Sequence, residues 1–376
     1  MKAEDGGGAA RLPREPRGKP TGSPAGKSAG SPLGKRTGSP LGKPAGNPAG
    51  KPAGSPAGKP VGDPDSGDAA GAPGTSGEPG GIADRERRRA LSLSRRSSAL
   101  GAAGRHGEAL AASEEALEIT RRLAEDDRGT YLSDLALCLA GAAMRYVRLG
   151  RRHDAVDAGR EAVAVRRELA KARPDEYLPH LAGSLNGLAC DLGRIGEPEA
   201  ALDAAREAVG IYEGLAVRNP VAHEPSLAMA LHTLAQRTAS LGWLEDAVLH
   251  STRAVSIRRR LATENPPAYS VAFATALHGL GWQLAALGRR EEAIAAYAES
   301  VTIRHRLARS ENAQAADHDY LAAVAGEWAD LLMDAGRLPA AMEPLEIART
   351  ASLHAGDTER ADRLAALMER AGSIRV

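Results

Sequence analysis

One feature limits this chain more than any other. Glycine stands at 104, 150, 196, 242, 288 and 336; the first four intervals are 46 residues and the last is 48. Five residues after each stands alanine: Ala109, Ala155, Ala201, Ala247, Ala293 and Ala341. Twelve residues after each stands a small residue again: Ala116, Ala162, Ala208, Ala254, Ser300 and Ala348. Self-similarity at a fixed period of this length is the mark of a repeat architecture.

The residues between the glycines say what the repeat is made of. Before Gly196 runs the helical apolar pattern Leu181, Leu185, Leu188, Leu192; after it runs Ala201, Leu202, Ala205, Val209. Glycine can take the left-handed conformation that ends one helix and turns the chain back. Alanine at the crossing lets two antiparallel helices approach closely. The pairs Arg173-Pro174, Asn219-Pro220 and Asn265-Pro266 punctuate the unit a second time, because proline pushes the preceding residue out of the helical region. Each unit reads as helix, glycine turn, helix, proline loop. A single pair cannot bury its apolar face, so the pairs must stack. Aromatic residues are only 3% of the chain, which suits an alanine-rich solenoid and excludes a large aromatic core.

Residues 1–80 are of another kind. From Lys19 to Gly62 glycine recurs every fourth position, and lysine every eighth. Proline, glycine and little to bury predict a disordered tail over 1–80. The glycine period excludes a collagen triple helix. Gly26-Lys27-Ser28 lacks the upstream glycine, strand and helix of a phosphate loop, and Asp63-Pro-Asp65 lacks the ligands of a calcium loop. The tail carries a net charge of +4 and the rest of the chain −3. A lysine-rich tail could hold an anionic surface, but nothing in it could stack on or read a base. Nucleic-acid association through the tail is therefore the second reading of function.

Around Gly288 the chain reads Leu277-x2-Leu280-Gly281-x2-Leu284, then Ala293-x3-Tyr297. This resembles the tetratricopeptide repeat, and the phrase LGRREEAIAAYAESVTIRHRLA is especially similar. The standard unit is about 34 residues, so these longer units look more like those of kinesin light chains and many bacterial signalling proteins. HEAT repeats reach a similar length, but the Leu-Gly and Ala rungs argue against them. The expected fold is all-α: a right-handed α-solenoid of about six antiparallel helix pairs over residues 81–376, closed by a capping helix near 357–371. The resemblance implies a non-catalytic scaffold that binds a protein or peptide in a concave groove lined by the first helix of each pair, of the kind found in bacterial signalling or regulation.

That register selects candidate groove residues. Ten and six residues before the turn glycines stand Asn186 and Cys190, His232 and Gln236, and His278 and Trp282; Asp330 holds the later position in the last unit. Residues four apart share a helix face, so these pairs should form one polar and aromatic row on neighbouring helices. Arg194, two before its glycine, flanks them, as Arg148 does one unit earlier. Two histidines in the row would make binding depend on pH near 6–7. The arginines at 121–122, 166–167, 258–260 and 304–306 fall near the ends of the second helices, where cations suit the helix dipole. Arg88-Arg89 and Arg95-Arg96 precede serines as basophilic kinase sites do, but belong with a charged helix face. No residue grouping points to catalysis, to a metal or to a cofactor. Cys138 and Cys190 have no pairing pattern, and neither a signal peptide nor a spanning run is present, so a cytoplasmic setting away from membranes is expected.

Overall fold

The computed structural model describes residues 81–310 and 313–373. The tail over 1–80, with its lysine period, lies outside the described residues. Among the described residues there are thirteen helices and no strand. They form six antiparallel pairs: α1 (Ile82–Ala102) with α2 (His106–Asp126), α3 (Arg128–Arg148) with α4 (Arg152–Ala172), α5 (Pro174–Ile195) with α6 (Pro198–Arg218), α7 (Pro220–Ser240) with α8 (Leu244–Glu264), α9 (Pro266–Ala286) with α10 (Arg290–Ala308), and α11 (Ala315–Asp334) with α12 (Leu338–Ala355). Helix α13 (Thr358–Ser373) follows. Each helix packs against its neighbours in sequence.

The six turn glycines all take positive φ, +86° at Gly196. A side chain there would be strained by the clash of its Cβ with the backbone. All twelve rungs of the repeat are buried, each at 0 or 1% exposure. Where the rung is serine, the hydroxyl finds an acceptor: Ser300 Oγ donates to the Ala274 carbonyl of α9 at 2.8 Å.

The second punctuation differs from the expected loop. One residue alone separates each second helix from the next first helix: Asp127, Arg173, Asn219 and Asn265, all near φ −140° and ψ 76 to 89°. One extended residue redirects the chain, and proline at the first helical position starts the new helix without losing a bonded N–H. Asp127, Asn219 and Asn265 accept the backbone N–H of Thr130, Ala222 and Ala268, capping those helices. The exception is the α10–α11 connection, residues 309–314, where the period lengthens to 48.

Successive first helices approach one another directly, α1 to α3, α5 to α7 and α7 to α9. Second helices are instead tied by long ion pairs. Arg121–Glu161, Arg167–Glu207, Glu213–Arg253 and Arg259–Glu299 link residues 40 apart at 2.5–2.8 Å. The third rung carries its charges in reverse order and still pairs. The first-helix side is therefore the inner face of the stack. Helix α13 lays Ala361 and Leu364 on the last pair and turns Asp362 and Glu369 outward, as a cap must.

Candidate functional site on the first-helix face

The inner face is built by one register on α3, α5, α7, α9 and α11. On α5, Asn186 is buried at 7% exposure, and its Oδ1 has no partner. Cys190 is half-buried, with Sγ 3.9 Å from Thr233 Oγ1 of α7. Arg194 is exposed and donates to Asp191 of its own helix at 2.6 Å. On α7, exposed Gln236 meets the half-buried His232 ring at 3.2 Å. The His232 ring also lies against Gly279 of α9, where a Cβ would stand 3.4 Å from Cε1. On α9, Trp282 is half-buried, and on α11 Asp330 is exposed.

Two expectations need correction. Asn186 and His278 are not presented to a partner; each is buried between helices. The reason is the close approach of successive first helices, which covers the position ten before the glycine more than the position six before it. His278 is held from both sides. Its Nε2 donates to Glu327 Oε2 at 2.9 Å, and its Nδ1 lies 2.8 Å from the Tyr320 hydroxyl, both on α11. Tyr297 of α10 donates to the same Glu327 oxygen at 3.0 Å. Burial first, then the Glu327 charge, pushes the Tyr297 ionisation up, so its proton stays in place. This network was invisible in the sequence, because Tyr297, Tyr320 and Glu327 lie on three different turns of two later helices.

His232 overturns a second expectation. Burial, then the neighbouring Arg258, His278 and Arg237, pushes its pKa from 6.5 down to about 3. The ring is neutral at pH 6–7 and gives binding no pH dependence there.

The arginines of the second helices lie in the last two turns as expected, and most are exposed. Arg166, Arg258 and Arg304 turn inward instead. Arg258 and Arg304 are buried. Arg166 donates to the His180 carbonyl at 3.0 Å, Arg258 to the Ala272 carbonyl at 2.8 Å, and Arg304 to Thr275 Oγ1 at 2.7 Å. Arg304 also stacks 3.7 Å from the centre of the Tyr320 ring. Burial lowers all three pKa values. Their common place, sixteen residues after the turn glycine, was the signal available in the sequence.

Two further inner-face arginines were missed. Arg145 of α3 lies across Gly101 of α1, and Arg237 of α7 across Gly193 of α5; a Cβ at either glycine would collide with the guanidinium. The glycines stand three before, and the arginines five before, their turn glycines. Neither arginine has an ion pair among the described residues, and the Nε of each is buried without a partner. Burial lowers the pKa of both.

The tetratricopeptide repeat family model matches residues 89–127, 135–175, 181–219 and 273–318. These four stretches of the solenoid are tetratricopeptide repeats. The unmatched pairs, α7 with α8 and α11 with α12, keep the register of their neighbours, with Gly242, Ala247 and Ala254, and Gly336, Ala341 and Ala348, in place. No curated protein sequence matches the chain. Among solved structures, the apo form of RapI is similar at 12% identity, covering 76% of this chain and 97% of that one, with a TM-score of 0.51. BtubC (BKLC) from P. vanneervenii is 21% identical over 71% of this chain and 90% of that chain, at 0.45. A putative kinesin light chain from Podosopora anserina is 21% identical over 60% and 99%, at 0.48. These likenesses concern the fold. No described helix is long and apolar enough to cross a membrane. Among the described residues, no group of three or more His, Cys, Asp or Glu could hold a metal ion.

Proposed function

We propose that this tetratricopeptide protein is a non-catalytic interaction scaffold whose first-helix face holds an extended peptide segment of a partner. One observation carries the reading. In the register of Trp282, and seven residues before it, the face exposes apolar side chains that the solenoid does not use: Leu137 at 55%, Met144 at 50% and Met229 at 40%. Large apolar residues exposed in a single row mark an interaction surface. Gln236 and Trp282 extend the row, and Arg145 and Arg237 offer unpaired cations beside it. The partner chemistry this favours is a peptide of alternating apolar and acidic side chains. Such a protein acts only through what it holds, which is the role of an adaptor in signalling or regulation.

The experiment is selection of peptides from a display library on the full chain, followed by affinity measurements on variants. Trp282→Ala should weaken the selected peptides by about 2 kcal/mol or more if the indole is an anchor. Arg237→Ala should weaken only peptides with an acidic residue. Affinities unchanged in both variants would overturn the reading. Binding lost on deleting residues 1–80, with both variants unaffected, would transfer it to the tail.

A further inference from the structure

We propose that the cleft between α10, α11 and α12 is a binding site for a phosphate monoester. The argument begins with the ion-pair ladder of the second helices. On α2, α4 and α8 the arginine seventeen residues after the turn glycine pairs with a glutamate 40 residues on. On α10 that position is His305, and α12 offers only Leu345, or Ile347 if the two extra residues are counted. The ladder stops there. Arg306 and Arg309 beside it are exposed and have no ion pair among the described residues.

The same place is where the repeat lengthens. Six residues, not one, separate α10 from α11, and a cleft of about 460 Å³ opens among the three helices. A second hollow of about 340 Å³ adjoins it and shares His305 and Arg309. His318 and His354 line the first, their rings stacked with centroids 5.0 Å apart. His354 Nδ1–H donates to the Thr350 carbonyl at 2.9 Å, which leaves Nε2 to accept from a protonated phosphate oxygen or, with the ring doubly protonated, to donate to a bare one. The one carboxylate lining the cleft, Glu346, is held by Arg349 of its own helix at 3.2 Å.

The donor set selects the ligand. One unpaired guanidinium, Arg309, and three imidazoles line the cleft, and Arg306 lines the adjoining hollow; this set favours an anion of more than one charge with several acceptor oxygens. A phosphate monoester carries about −1.5 to −2 charges and three such oxygens near neutral pH. Arginine matches its geometry with paired N–H donors. The floor of Leu321, Ile347 and Ala351 is apolar and suits the organic part of an ester. The ester could be a free metabolite or a phosphorylated side chain, which share this chemistry.

The test is a titration of the full chain followed by the imidazole carbon–proton NMR signals, assigned with single His→Gln variants. Inorganic phosphate should give saturable shifts of His305, His318 and His354 but not of distant His153, and chloride at matched ionic strength should not. The double variant Arg306→Ala/Arg309→Ala should weaken phosphate by roughly tenfold or more, as expected for lost charge-assisted bonds. Both arginines are exposed and unpaired, so thermal melting should not change. Should it change, His354→Gln provides the same comparison. Capped phosphoserine binding above a sugar phosphate assigns the site to a phosphorylated side chain; the reverse order assigns it to a metabolite. Shifts that do not saturate, that chloride reproduces, or that survive both the arginine and the His354 variants would overturn the proposal.

Discussion

His278 Nε2 lies 2.9 Å from Glu327 Oε2, across the boundary between the fifth and sixth helix pairs. The same oxygen takes the Tyr297 hydroxyl, so one carboxylate ties α9, α10 and α11 together. Replacing it by alanine would leave the hydroxyl of buried Tyr297 and the Nε2–H of buried His278 without acceptors. Glu327→Ala should cost about 1–3 kcal/mol, the range for orphaned buried polar groups. Urea unfolding of the full chain checks this, and a loss within error of zero would show that water replaces the carboxylate.

The alanine rungs make a steric prediction. Ala201 and Ala247 are fully buried five residues after their turn glycines. Ala201→Leu and Ala247→Leu each force extra methylenes into a close helix crossing and should destabilise by about 1–3 kcal/mol. Unchanged denaturant midpoints in both variants would place the crossings elsewhere.

The reversed rung of the outer ladder predicts charge complementarity without fixed identity. Arg253→Glu, opposite Glu213, should destabilise, and adding Glu213→Arg should restore the loss. Both groups are nearly half-exposed, so the coupling in a double-mutant cycle should be only about 0.2–1 kcal/mol. A coupling of zero would make the rung ornamental.

His232 sets a pH window. Its folded pKa of about 3 lies below the ordinary 6.5, so between these values the unfolded chain binds a proton that the folded chain refuses. Stability then falls as pH drops from 6.5 toward 3 and is unaffected above 6.5. His232→Gln should flatten the melting temperature over that window. A wild-type slope retained in the variant would assign the acid sensitivity to other groups.

Much of the architecture was legible from local rules. Gly196, Ala201 and Ala208 reveal a turn, a crossing and a second crossing because each position tolerates almost nothing else, and the period repeats that information six times. The same rules misjudged the junctions. Asn219-Pro220 reads as a loop, since proline excludes helix before itself, but nothing local says that one extended residue is enough.

The sequence by itself determined the helix pairs, the turns and the register, because these depend on φ/ψ limits and on side-chain size within a few turns of chain. The tertiary structure alone decided which of the register's side chains remain available. The sequence register places Asn186 and His278, ten residues before their turn glycines, on the same helix face as Gln236 and Trp282, six before theirs, yet the first two are covered. Arg258 and Arg259 are neighbours, yet one is buried against a carbonyl of α9 and the other joins the outer ladder. Exposure depends on how near the next helix pair lies, and that distance is set by the summed packing of residues some forty positions apart in the chain.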